Sequence, residues 1–133
     1  MLLIASETIR SNRTLNDVVR EMSFTLSFFA SPATFGELML GQSRRIVLLT
    51  EHDVCAETVR ALKGAKDRAP FGIIVVADRR ALREVKDAEL VDKLAAYDNI
   101  EWVGTNFDFD RLSASVRRCR RRMLRITRQE LET

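Results

Sequence analysis

The sequence predicts an α/β fold, a doubly wound (βα)5 unit whose five-stranded parallel sheet lies between two helix layers in a three-layer sandwich. Three observations carry that expectation. Short apolar runs rich in Val and Ile recur at Met1-Leu2-Leu3-Ile4-Ala5, Arg45-Ile46-Val47-Leu48-Leu49, Ile73-Ile74-Val75-Val76-Ala77 and Ile100-Glu101-Trp102-Val103. Continuous runs of this kind suit strands buried on both faces, as parallel strands are. The stretches between them are long enough for helices, and parallel neighbours need such crossovers. The 133 residues hold one core and are too few for two ordinary domains.

A weaker run, Thr25-Leu26-Ser27-Phe28-Phe29, supplies the second strand. Before it, Leu15, Val18, Val19 and Met22 fall at i, i+3, i+4 and i+7, one apolar helical stripe that Ser11 or Asn12 caps. Ser31-Pro32 opens the second helix, with Pro in the tolerated first turn and Leu38 behind it, and Gly41 ends it. Val59 and Leu62 face inward on the third, which stops before Gly64 or by Pro70. Leu82, Val85, Val91, Leu94 and Ala95 mark the inward side of the fourth, with a possible interruption at Lys86-Asp87-Ala88. On the last helix Phe109, Leu112, Val116, Cys119, Met123 and Ile126 form a narrow heptad-like seam. Its first half docks on the sheet, and its second, Met123 to Leu131, runs past the sheet edge and wants a partner.

Apolar residues at 46% and charged residues at 31% describe a globular chain and exclude disorder. Cys55 and Cys119 match no metal spacing and predict reduced thiols in a cytoplasmic protein. No stretch approaches the roughly 20 apolar residues that span a bilayer. The net charge of +3 is uneven. Residues 111–133 carry eight arginines against Glu130 and Glu132, which makes that segment +6 and leaves −3 for residues 1–110. The positive charge therefore belongs to the last helix.

The strand layout, and above all the stretch from Trp102 to Arg118, resembles the receiver domain of two-component response regulators. A receiver reads aromatic-x-x-Lys-Pro-Phe-x-x-x-x-Leu there. In this chain Thr105 stands in place of the lysine and Asn106 in place of the proline, with Phe107 and Leu112 in register. The resemblance implies a flavodoxin-like receiver topology over residues 1–122, with 123–133 as a helical extension. It also implies where phosphoryl chemistry would sit. The acceptor aspartate falls at Thr50, the acidic pair that holds Mg²⁺ at Ala5-Ser6 followed by Glu7, the hydroxyl at Ala77 and the lysine at Thr105. Only Trp102 matches, as the switch aromatic.

A site without carboxylate nucleophile, metal cage or lysine has nothing to stabilise a transferred phosphoryl group. The expectation is a pseudo-receiver: a non-enzymatic signalling module, without cofactor, acting through protein contacts. One alternative is a degenerate acceptor in which Asp53 or Glu51, with Glu7 and His52 nearby, gathers Mg²⁺; the plainer role for Asp53 is to cap the following helix. Another is a nucleic-acid adaptor working through the arginine helix, although aromatic interleaving is missing there. The expected contact surface comprises Trp102 with Arg117, Arg118, Arg120, Arg121 and Arg122. It would meet a protein partner or a second copy across the fourth helix, fifth strand and fifth helix. In a homodimer the arginines would pair with Glu84, Asp87, Glu89 and Asp92, and an output domain could follow Thr133. No glycine-rich phosphate loop supports dinucleotide binding.

Overall fold

The computed structural model describes the backbone of residues 1–41 and 43–132 and the side chains of 1–41 and 43–125. Five strands, β1 (Leu2–Ser6), β2 (Thr25–Phe29), β3 (Arg45–Thr50), β4 (Phe71–Val76) and β5 (Ile100–Val103), pair in parallel in the order β2-β1-β3-β4-β5. The crossovers are α1 (Arg13–Glu21), α2 (Pro32–Leu38), α3 (Ala56–Ala65) and the pair α4 (Arg79–Val85) and α5 (Ala88–Ala95), and α6 (Phe109–Glu132) follows the last strand. The chain steps outward from β1 to β2 and then returns past β1 to build the other side, a flavodoxin-like topology whose switch point lies between β1 and β3.

Alternation along each strand divides the core in two. Ile4, Val47, Leu49, Ile73 and Val75 pack with Phe35, Leu62, Leu82, Val91 and Leu94 from α2 to α5. Their neighbours Leu3, Ala5, Ile46, Leu48, Ile74 and Val76 pack with Leu15 and Val18 of α1 and with Leu112, Val116, Cys119 and Met123 of α6. Both sheet faces are covered, which is why the central strands β1, β3 and β4 are apolar along almost their whole length.

Helix starts follow their caps. The Asn12 side chain accepts from the Leu15 N–H at 2.9 Å, and the Ser31 hydroxyl from the Thr34 N–H at 3.2 Å with Pro32 in the first turn. The third helix runs one residue past Gly64 and ends at Ala65, ahead of Pro70. The fourth crossover is two helices, because Asp87 accepts from the Glu89 N–H and starts a second one. Val85, expected to face inward, is 66% exposed instead. It is the last residue of α4, and the chain turns away there before α5 brings Val91 and Leu94 into the core.

Arg45 opens an apolar run yet is buried. Its guanidinium donates to the carbonyls of Ser43 (2.7 Å), Leu38 (2.6 Å) and Gly41, so a cation closes the carboxyl end of α2. Burial lowers its pKa. Among the described residues no helix is long and apolar enough to cross a membrane.

Two glycines predict opposite outcomes. A Cβ at Gly72 would lie 2.9 Å from the Cys119 Cβ and 3.0 Å from the Asn99 Nδ2, whereas one at Gly64, inside α3, meets nothing within 4 Å. Urea unfolding is expected to show Gly72→Ala destabilised by about 1–3 kcal/mol through overpacking. Gly64→Ala is expected to be stabilised by about 0.5–1 kcal/mol through helix propensity and unfolded-state entropy. A neutral Gly72→Ala would mean that α6 does not rest closely on β4.

Candidate functional site

Every position aligned with phosphoryl chemistry lies at the carboxyl edge of the sheet. Ser6 ends β1, Thr50 ends β3 opposite Val76 of β4, Ala77 follows that strand, and Thr105 lies just past β5. The side chains are turned to local uses. Ser6 shares a 2.9 Å hydrogen bond with the Thr8 hydroxyl, and Glu7 pairs with Arg10 at 3.6 Å. Ala77 is buried in the core half under α4, and Thr105 is exposed in a turn.

The segment after β3 is the informative one. Glu51–Asp53 makes a single 3-10 turn, and its last residue reaches back to its first neighbour. The Asp53 Oδ2 accepts from the Thr50 N–H at 2.8 Å and from the Thr50 hydroxyl at 2.9 Å. Asp53 thus closes its own turn and does not cap α3, which starts from Cys55. The extra turn places Asp53 too early to reach the amides of α3. Glu51 and His52 are exposed. Among the described residues no three His, Cys, Asp or Glu side chains gather at metal-ligand spacing.

The second feature is the underside of α6. Glu101 interrupts the last strand's apolar run, and its side chain, 12% exposed, points at the helix. It accepts from Arg118 and from Arg122, both at 2.7 Å. Beside it the Asn99 Nδ2 donates to the Cys119 carbonyl at 3.0 Å, while Arg122 reaches the Asn99 Oδ1 at 3.4 Å. Sequence reading missed Glu101 and Asn99. The available signal was a carboxylate in a strand otherwise destined for burial, which demands a cation.

The expected arginine surface therefore divides. Arg118 and Arg122 are engaged by Glu101, whereas Arg117, Arg120 and Arg121 make no ion pair among the described residues. Leu124, half exposed, lies beside these three on α6. Trp102 is partly buried on the opposite sheet face, against the core under α3 to α5. The acidic counterparts divide likewise. Asp92 is held by Arg83 through two hydrogen bonds of 2.9 and 3.0 Å, and the hydrogen bond from Arg83 keeps its carboxyl below the usual range. Glu89 pairs with Lys93 at 3.4 Å; Glu84 and Asp87 remain exposed. Of the seam, Phe109 is partly exposed while Leu112, Val116, Cys119 and Met123 are fully buried. The side chains of Ile126 and Leu131 lie outside the described residues.

No family model matches this chain, and no curated protein does. Similar solved structures include one described as the yeast Spc42 trimeric coiled coil, amino acids 181–211, fused to another structure. It aligns with a TM-score of 0.59 at 13% identity, over 98% of this chain and 90% of that one. A coiled-coil segment that short cannot account for the cover, so the fused part carries the likeness. At that identity the likeness speaks for the α/β fold alone.

Cys119 reports on the α6 contact. Burial, reinforced by the Glu101 charge, pushes its thiol up to about 12. At pH 8 only about one molecule in 10⁴ carries the thiolate, the form that reacts. A thiol reagent is expected to modify the partly exposed Cys55 first and Cys119 only on unfolding. In Glu101→Gln, which unties Arg118 and Arg122, the fold should lose about 1–2 kcal/mol and Cys119 should react faster. Unchanged Cys119 kinetics in that variant would show that Glu101 does not hold the helix.

Proposed function

We propose that the chain is a receiver-like regulatory module that acts through protein contacts and does not accept a phosphoryl group. The turn after β3 carries this reading. An acceptor carboxylate must present a free oxygen to the incoming phosphorus, with cations placed to neutralise the charge. The acid in contact with the acceptor position, Asp53, has one oxygen held by two hydrogen bonds from Thr50, and no cation pairs with it among the described residues. Where the resemblance calls for an acidic pair, a hydroxyl and a lysine, the chain offers Ala5-Ser6 followed by Glu7, then Ala77 and Thr105.

The charge that remains available supports a contact role. Arg117 and Arg121 are exposed on the outer side of a helix whose inner side is fixed to the sheet, with Arg120 half-buried on its flank. An exposed cation cluster beside a half-exposed Leu124 suits a protein surface bearing carboxylates around an apolar residue. The first such surface to test is a second copy of the chain, through α4–α5, β5 and α6.

After incubation with acetyl phosphate and Mg²⁺, intact-mass measurement is expected to find the chain unmodified. A phosphoryl adduct that disappears in Asp53→Ala would overturn the reading in favour of a degenerate acceptor.

Light scattering is expected to find the chain associated and Arg117→Glu/Arg121→Glu a folded monomer. Association that survives both reversals would move the contact off this face. Duplex DNA binding that falls by roughly 10³ as salt rises from 50 to 200 mM would reassign the arginines to nucleic acid.

A further inference from the structure

The opposite edge of the sheet, far from Thr50, carries a separate feature. Two adjoining cavities of about 420 and 380 Å³ open where the chain enters β4 and β5, and they share Lys66, Tyr97 and Asp98. Volumes of this order suit small molecules, whose sites run from ~300 to 1,000 Å³. Phe71 and Tyr97 form the apolar floor, with ring centroids 5.8 Å apart and planes tilted by 53°. Tyr97 is half-buried, packed against the core below, and burial raises its phenol above the ordinary pKa.

The rim is cationic. Lys63, Lys66, Arg68 and Lys93 face Asp67 and Asp98 across the two openings. Arg68 donates to the Leu40 carbonyl and Lys93 pairs with Glu89, whereas Lys63 and Lys66 have no partner among the described residues. Lys63 and Lys93 stand in the last turns of α3 and α5, where a cation complements the helix dipole. That role explains a charge at each helix end. It does not explain two half-buried aromatic rings lining the same openings, with Lys66 added one residue past α3.

We propose that this cleft binds a small anion carrying a flat ring, of the nucleoside monophosphate class. The ring lies against Tyr97 and Phe71, and the anionic group meets Lys63 and Lys66, which are three residues apart and so share a side of the helix end. Asp98, exposed on the lip of both cavities, accepts an N–H from an amino-bearing ring, which favours a nucleobase over a simple aromatic acid. The proposal uses none of the residues of the regulatory reading and stands or falls separately from it.

The test is a titration of ¹⁵N-labelled protein with AMP, with inorganic phosphate and with 4-hydroxybenzoate, at constant ionic strength. AMP is expected to shift the amides of residues 63–71 and 93–99 with half-saturation near about 1 mM or below. Lys63→Glu/Lys66→Glu and, separately, Tyr97→Leu should each weaken it about tenfold or more while the remaining spectrum keeps its dispersion. 4-Hydroxybenzoate, which has no N–H for Asp98, is expected to bind more weakly than AMP. Four outcomes overturn the proposal: no shifts with AMP, 4-hydroxybenzoate binding as tightly as AMP, shifts that persist in both variants, or phosphate alone binding as well as AMP.

Discussion

Glu101 is where the last helix is tied to the edge of the sheet, and one whole layer depends on that helix. Energy and register come from different residues there. Leu112, Val116, Cys119 and Met123 are fully buried, and each large apolar side chain so placed contributes about 1.5–3 kcal/mol. The ion pairs to Arg118 and Arg122 are partly solvated and worth far less, about 0–1 kcal/mol apiece. Their effect is positional. Slid by one turn, α6 would set Ser115 or Met123 against Gly72, where only Cys119 fits closely, and would take the Cys119 carbonyl away from Asn99.

That fixed register decides which charges stay available. Once Arg118 and Arg122 turn inward to Glu101, Arg117 and Arg121 are left on the outer side with Leu124, and Arg120 on its flank. At the carboxyl edge the opposite has happened: Ser6, Glu7, Thr50 and Asp53 satisfy one another or near neighbours within the same few residues. A phosphoryl site needs groups held apart and unpaired until substrate arrives, which costs stability. On the proposed reading, local pairing removes that cost along with the chemistry.

The fold was largely legible because both faces of a parallel sheet demand the same thing of every strand residue. The runs at 1–5, 45–49 and 73–77, within two residues of the strands that form, needed no long-range information, and neither did the caps at Asn12 and Ser31. What escaped reading depended on partners distant in sequence or on backbone direction. Arg45 looks like a misplaced charge until the carbonyls of Leu38, Gly41 and Ser43 converge on it. The arginines read as one surface, although half-turns of a helix sort them between Glu101 and solvent. Asp53 read as a cap for the next helix because an intervening 3-10 turn leaves no hydrophobic period to detect. The basic cleft joins the end of α3 to a loop some 30 residues later, a juxtaposition that no local pattern encodes.

We propose that this flavodoxin-like sheet serves as a receiver-like frame without a phosphoryl site. Trp102, the only tryptophan, lies on β5 beside β4, two residues before the turn that holds Thr105. Its fluorescence should be followed while Mg²⁺ and then beryllofluoride, a mimic of the phosphoryl group, are added. The account predicts a flat trace through both additions. A saturable change that requires both would contradict it, since the pocket would then still gather metal and phosphate.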